Sequence, residues 1–325
     1  MSEEVFSGSV IINRPILEVF NYVADVESTN EWNPFFRQLK KVDGRFRATL
    51  SASELLEKLL HRDLSFFVDV TDIVPGRRLS YRSADIGLIT TMEFEPSLQG
   101  TLVKATQSLW GWQATVFGLF TQPSRLSRLL MNDWIMRSLL SLKRNAEARV
   151  VDVNPIFFFN YRRSQATYVG GRIYDALVQE FGAGYVFRDF ESLVVGRQWQ
   201  EGINKALSGC KAVIAHIGDQ WEEEIEIKRK KKETDWVVDE LKIALEKKPK
   251  PTLIPVFTAN DQTKFNMADR LKRIRDKLPP DLEVIKNAFA NIQGIFIRTD
   301  PDFRQDLEKL LQALWSIIQD SKRDT

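Results

Sequence analysis

Thr234-Asp235-Trp236-Val237-Val238-Asp239-Glu240-Leu241-Lys242-Ile243-Ala244-Leu245 is the stretch around which the second half of the chain is organised. Thr234 or Asp235 is placed to cap a helix, and Pro249 and Pro251 stand beyond its end. On a helical wheel Trp236, Val237, Leu241, Ile243, Ala244 and Leu245 share one broad apolar arc. Asp235, Asp239, Lys242 and Glu246 take the opposite side. Glu240 breaks the pattern: it follows Trp236 by one turn and falls inside the arc. A carboxylate turned inward has either a paired cation or a chemical task, because burying it bare is costly. The wheel alone leaves both readings open.

Short apolar runs flank this helix at residues 212–216 (AVIAH) and 252–256 (TLIPV). The alternation extends in both directions. Residues 156–159, 185–187 and 294–297 read as further strands, and helices are expected around 176–178, 199–207, 269–277 and 301–318. Strands that are apolar throughout and separated by helices imply a parallel sheet covered on both faces. Such sheets bind ligands at the C-terminal ends of their strands.

The first half reads differently. Residues 5–13 alternate like a strand, Arg14-Pro15 breaks it, and Pro15 suits the first turn of a helix over 16–23. Trp32-Asn33-Pro34-Phe35 reads as a turn with exposed aromatics. Strands are expected at 45–50, 64–73, 79–83, 88–95 and 101–107, with a short helix at 53–61 and turns at Pro75-Gly76 and Gln99-Gly100. Residues 113–120 close this sheet or cross over to a long helix over 124–148. Leu126, Leu129, Leu130, Trp134, Met136, Leu139, Leu140 and Leu142 form its apolar face. The pattern changes across 147–153, so two domains are expected, at 1–148 and 154–320.

Composition sets the limits. The chain has 325 residues, enough for two domains, and is 43% hydrophobic, enough for sizeable cores. Lys plus Arg (46) nearly balance Asp plus Glu (44), so the net +2 gives no general argument for a nucleic-acid partner. One cysteine, Cys210, excludes an internal disulfide framework and a thiolate zinc cluster, and two histidines, His61 and His216, are too few for a His-based metal site. No metal is expected. No charged-then-apolar leader and no membrane-length apolar run is seen, so a cytoplasmic setting is expected. Lys228-Arg229-Lys230-Lys231-Lys232 reads as a solvated loop.

The order strand, helix, antiparallel strands, long helix resembles the helix-grip family of polyketide cyclases, START-like lipid carriers and Bet v 1-like proteins. The resemblance rests on Ile12-Asn13-Arg14-Pro15, residues 19–25 (VFNYVAD), Trp32-Asn33-Pro34, residues 74–79 (VPGRRL) and the terminal residues 139–143. It implies an antiparallel sheet around a long C-terminal helix and an apolar pocket for a small ligand. Trp110, Trp112 and Phe117 either line such a pocket or are core.

The second half resembles bacterial-type TIR domains, which have a flavodoxin-like parallel sheet. The matching residues are 156–164 (IFFFNYRRS), Val186-Phe187-Arg188-Asp189 and Glu191-Ser192-Leu193 with Gly196. Residues 203–210, 213–218 with Trp221, 235–240 with Ala244-Leu245, and Ile254-Pro255-Val256 complete the series. Asn160 stands where many members of the family carry Ser. The resemblance implies an enzyme that cleaves the nicotinamide–ribose bond of NAD+, with Glu240 of the WxxxE motif as the catalytic residue and NAD+ as substrate rather than cofactor. It implies NAD+ contacts from Trp236, Asn160, Tyr161, Arg162, Arg163 and Asp189. It also implies self-association through the loop containing Glu191, Ser192, Leu193 and Gly196. Duller roles stand beside these: Trp236 as core, and Tyr161, Arg162 and Arg163 paired with acidic loops. Cys210 reads as a small buried residue, and His216 as structural or near the ligand.

The combined reading is an N-terminal domain that senses an unknown ligand or protein and a TIR domain that hydrolyses or cyclises ADP-ribose from NAD+, in a regulated immune or cell-death effector. The alternatives are a non-catalytic TIR scaffold, which has no need of an inward carboxylate, and an N-terminal cyclase or carrier, for which no acid–base set is evident.

Overall fold

Alternation and breaks in the sequence translate directly into the first elements. In β1 (Glu4–Ile12) Phe6 and Ile12 are buried, while Val5, Ser7, Ser9 and Ile11 face outward. Pro15 precedes α1 (Ile16–Ala24), whose apolar positions are nearly all buried. The computed structural model describes residues 4–50, 65–109, 125–151, 153–162, 168–188, 207, 209–259, 265–290 and 292–323. The chain divides into two compact units, Met1–Val151 and Asp152–Thr325.

In the first unit, α1 is followed by α2 (Thr29–Trp32), β2 (Phe36–Val42), β3 (Arg45–Leu50), β4 (Ser65–Val74), β5 (Arg78–Ser83), β6 (Leu88–Ser97), β7 (Gly100–Leu109) and α3 (Arg125–Ala148). The seven strands are antiparallel in the order β1-β7-β6-β5-β4-β3-β2, so β1 returns to pair with β7. Helix α3 lies against β1. A Cβ on Gly8 would stand 2.9 Å from both Ile135 Cγ2 and Met136 Sδ. Arg14 Nη2 donates to the carbonyls of Glu147 and Arg149 at 2.8 Å each, and the Asn13 amide donates to Glu147 Oε1 at 2.7 Å. The two arginine bonds occupy carbonyls at and just beyond the end of α3, where the helix leaves its own unpaired. This is a helix-grip architecture.

Several sequence expectations are corrected here. Trp32 is 6% exposed, and Phe35 stacks on Trp134 with ring centroids 4.2 Å apart, so the turn does not display its aromatics to solvent. Strand β2 was not expected, because its sequence FRQLKKV buries only Leu39. The buried face of α3 runs through Ile135, Leu139, Leu142 and Ala146. Leu140 is 54% exposed, since it lies one step round the helix from Leu139. The expected helix at 53–61, the segment 113–120 and the residues Trp110, Trp112 and Phe117 lie outside the described residues.

The second unit is doubly wound. Strands β8 (Phe157–Asn160), β9 (Val186–Phe187), β10 (Ala212–Ile217), β11 (Thr252–Phe257) and β12 (Ile295–Phe296) are parallel in the order β12-β11-β10-β8-β9. The described helices are α4 (Tyr168–Phe181), α5 (Trp221–Lys231), α6 (Trp236–Glu246), α7 (Met267–Lys277), α8 (Glu283–Ala290) and α9 (Phe303–Arg323). Every residue of β8 and β10 is buried, as a sheet covered on both faces requires. One face packs Phe158, Val213 and Ile217 against Trp221, Leu241 and Ile285. On the other, Phe157 meets Phe181 of α4, which meets Trp315 of α9.

The basic run 228–232 is corrected from a loop to a helix end. Lys228 to Lys231 form the last turn of α5, and Lys232 caps it at φ 57°. Three glutamates in the first turn and four cations in the last match the helix dipole, so charge stabilises the helix where apolar residues are few. No described helix is long and apolar enough to cross a membrane.

Candidate functional site at the end of strand β8

The order of the strands reverses at β8: β9 lies on one side of it and β10 on the other. Ligands in open parallel sheets bind at such a switch point, beyond the C-terminal ends of the strands. Asn160 is the last residue of β8. Strand side chains alternate, so Asn160 shares the face of Phe158, the face covered by α6. Its side chain is 1% exposed. Its Nδ2 donates to the Val237 carbonyl at 3.1 Å and to Glu240 Oε2 at 2.9 Å. Both neighbours are acceptors, which fixes the orientation of the amide. Asn160 Oδ1 is buried without a hydrogen-bond partner among the described residues.

Glu240 itself is half-buried. The buried face of α6 runs through Val238, Leu241, Ala244 and Leu245, so Glu240 stands on its rim rather than within the apolar arc. Trp236 is also moved from that arc: it is 47% exposed. An indole and a carboxylate one turn apart therefore border the same edge of α6.

Arg162 lies two residues beyond β8 and is 2% exposed. Its Nη1 and Nη2 donate to Asp235 Oδ1 and Oδ2 at 2.8 and 2.6 Å. Glu224 approaches to 3.9 Å, and the guanidinium lies 5.6 Å from the centre of the Trp221 ring. Of the two roles read for Arg162 in the sequence, the structure shows the ion pair with an acidic residue. One expectation is corrected: Asp235, at the N-cap position, makes no side-chain capping bond, because its carboxylate faces Arg162. No feature of the sequence joins Arg162 to Asp235, 73 positions apart; only the fold does.

Tyr161 is half-buried, stacked near Phe159 at 5.8 Å between centroids, with the Arg188 guanidinium 5.2 Å from its ring. Arg188 also lies 4.3 Å from the Tyr174 ring, a cation beside the site that the sequence reading had not singled out for a role. Arg163, Asp189, Glu191, Ser192, Leu193 and Gly196 lie outside the described residues.

His216, near the end of β10, faces the opposite side of the sheet. It stacks near Phe159 at 6.1 Å and its Nε2 lies 3.0 Å from Thr258 Oγ1. Burial lowers its pKa to about 4, so the ring is neutral at ordinary pH. Burial likewise raises the Cys210 thiol to about 12, which leaves it without nucleophilic character. Asp239 on α6 has its pKa raised, first by burial and then by Asp235. Among the described residues no cluster of His, Cys, Asp or Glu is placed to hold a metal ion.

Residues 157–311 match the family model of the TIR domain, and the C-terminal unit is a TIR domain. A search of curated proteins found no match. Among solved structures, a polyketide-cyclase-like protein from Corynebacterium glutamicum is 20% identical, with a TM-score of 0.32, over 45% of this chain and 93% of its own. A protein from Deinococcus radiodurans is 20% identical, with a TM-score of 0.33, over 44% of this chain and 97% of its own. The di-domain aromatase/cyclase of the steffimycin biosynthetic pathway is 14% identical, with a TM-score of 0.35, over 45% of this chain and 51% of its own.

Proposed function

We propose that the TIR domain cleaves the nicotinamide–ribose bond of NAD+, with Glu240 as the catalytic residue. The observation that carries this reading is the Glu240 carboxylate held by Asn160 at the switch point of the sheet, one turn from an exposed indole. The chemistry asks for little more. The bond from ribose C1′ to the pyridinium nitrogen breaks, and nicotinamide leaves as a neutral molecule without a proton donor. A positively charged, oxocarbenium-like ribose remains, and a fixed carboxylate stabilises it. Water then adds at C1′ and releases a proton, giving ADP-ribose; attack by an adenine nitrogen instead gives the cyclic product. Trp236 offers a flat face to an aromatic ring of the substrate, and Tyr161 with Arg188 offers a second aromatic and a cation. Arg163 and Asp189 complete this reading of the site.

In the same reading, the helix-grip unit senses a ligand or protein and promotes TIR–TIR packing through the loop of Glu191, Ser192, Leu193 and Gly196, in a cytoplasmic immune effector. Unchecked NAD+ loss harms the cell that makes the enzyme, so an activity gated by assembly fits this pairing of domains.

The test is NAD+ consumption and nicotinamide release by the full chain across a range of protein concentrations, beside Glu240→Gln. Cleavage that rises more steeply than concentration and vanishes in the variant supports both catalyst and assembly. Cleavage unaffected by Glu240→Gln removes Glu240 from the role. Absence of cleavage in both the full chain and the isolated TIR domain favours a scaffold.

A further inference from the structure

We propose that Asn160 is a positioning residue for Glu240: the amide at the end of β8 helps to set where the carboxylate points. This deepens the reading of Glu240 as catalyst and rests on it.

Three observations converge. Asn160 is nearly completely buried, so its side chain has one environment and no solvent to exchange partners with. Its Nδ2 bridges the two elements at two atoms, the Val237 carbonyl in the first turn of α6 and Glu240 Oε2. Its backbone is fixed in turn, because β8 is hydrogen-bonded between β10 and β9 and Asn160 is in register with Ala215. A glutamate side chain has several rotatable bonds, and one exposed on a helix rim would sample many rotamers. A bond from a buried, strand-mounted donor removes that freedom before substrate arrives, which is what preorganised charge stabilisation requires. A donor to a carboxylate is also among the stronger hydrogen bonds.

Shape alone does not explain the residue. An aspartate fills nearly the same volume at the end of β8. Only a side chain with an N–H or O–H donor can hold the carboxylate, and only one with two donors can hold the Val237 carbonyl as well.

Asn160→Asp separates the donor from the shape. The variant keeps the volume but replaces two donors with a second carboxylate beside the first, and two carboxylates at that spacing share a proton. The other charged groups nearby are Arg162 paired with Asp235, and Asp239 and Lys242 on α6 itself. The helix packed most closely against α6, α8, carries Glu283 and Lys286, while His216 on β10 faces the other side of the sheet and is neutral at ordinary pH.

The experiment uses the full chain labelled with glutamate carrying 13C at the side-chain carboxyl. Glu240 is assigned by the loss of its signal in Glu240→Gln. The expected result is that the Glu240 resonance at neutral pH moves toward the protonated position in Asn160→Asp and shifts in Asn160→Ala. In NAD+ cleavage, kcat falls about 10- to 100-fold in both variants, the scale of one hydrogen bond to a charged group, while KM stays within about threefold. Asn160→Ser, which restores one donor, recovers part of kcat. An unmoved resonance in both folded variants overturns the inference, as does an unchanged kcat. The carboxyl signal is read without substrate, so it decides the positioning role even where no NAD+ is cleaved, the outcome that would sink the enzymatic reading instead.

Discussion

Arg162 and Asp235 meet through two parallel hydrogen bonds of 2.8 and 2.6 Å, in a site where Arg162 is almost completely buried. The pair ties the chain just beyond β8 to the residue that opens α6, one position before Trp236. Breaking a buried pair by removing one partner leaves an uncompensated charge and costs about 3–5 kcal/mol. Asp235→Ala is therefore expected to lower the unfolding free energy by about 3 kcal/mol. It should also reduce amide hydrogen-exchange protection in the first turn of α6, at Val238 and Asp239, before it does so in β10. Denaturant unfolding and exchange mass spectrometry check both. A loss of stability shared evenly by every element would remove the pair's specific role at α6.

The neutral state of His216 gives a pH prediction. Burial holds its folded pKa at about 4, below the unfolded value of 6.5. A histidine with a depressed folded pKa contributes stability that is fully present above the unfolded value. It is lost as pH falls from about 6.5 toward 4, because only the unfolded chain then takes up the proton. The full difference corresponds to about 3 kcal/mol. His216→Gln, which cannot charge, should flatten the acid limb of the stability curve between those pH values. A variant with the same acid slope as the natural chain would assign that slope to other groups.

What could be read from the sequence depended on whether a residue's role was local or distant. The apolar runs of β8, β10 and β11 announced a covered parallel sheet, because a strand buried on both faces has no polar positions to hide it. Glu240 was legible as an anomaly on its helix. Helix α5 was not, because part of its buried face is charged: Glu222 is buried and pairs with Arg270 at 2.8 Å and Arg273 at 2.7 Å. Read along the chain, WEEEIEIKRKK looks like a solvated run. Asp235 failed for a similar reason. Its position suits a cap, and nothing local reveals that a buried arginine just beyond β8 will claim its carboxylate. Asn160 was noticed as a departure at a ligand position, but its donor role toward Glu240 exists only once β8 and α6 are side by side.

Strand β2 shows how a sheet edge was closed. Asn30 Nδ2 donates to the Leu39 carbonyl at 2.8 Å, and its Oδ1 accepts from the Leu39 amide at 2.5 Å. The side-chain amide thereby imitates one residue of a neighbouring strand on the outer side of β2, an edge otherwise open to pairing. Asn30→Ala leaves both Leu39 groups without this partner and is expected to cost about 1–3 kcal/mol. Thermal unfolding measures the loss, and light scattering should show increased self-association of the variant as the edge is uncovered. Asn30→Asp, which keeps the acceptor but not the donor, should fall between the two.

Gly8 sets how closely α3 approaches the sheet. It sits in β1 directly beneath Ile135 and Met136, and an added Cβ would stand 2.9 Å from a carbon of the first and the sulfur of the second. Met136 can yield through its flexible thioether, but Ile135 is a buried branched side chain on the core face of the helix and has little room to turn. Gly8→Ala therefore has to displace α3, and overpacking of this kind costs about 1–3 kcal/mol. The loss should be relieved by shortening the side chain above it. In Gly8→Ala/Ile135→Ala the two changes are expected to be less destabilising together than the sum of their separate effects, because removing Cγ2 of Ile135, the carbon the added Cβ would meet, makes space for it. Additive effects in the double variant would show that the contact between β1 and α3 is loose at this point and that Gly8 serves the strand alone.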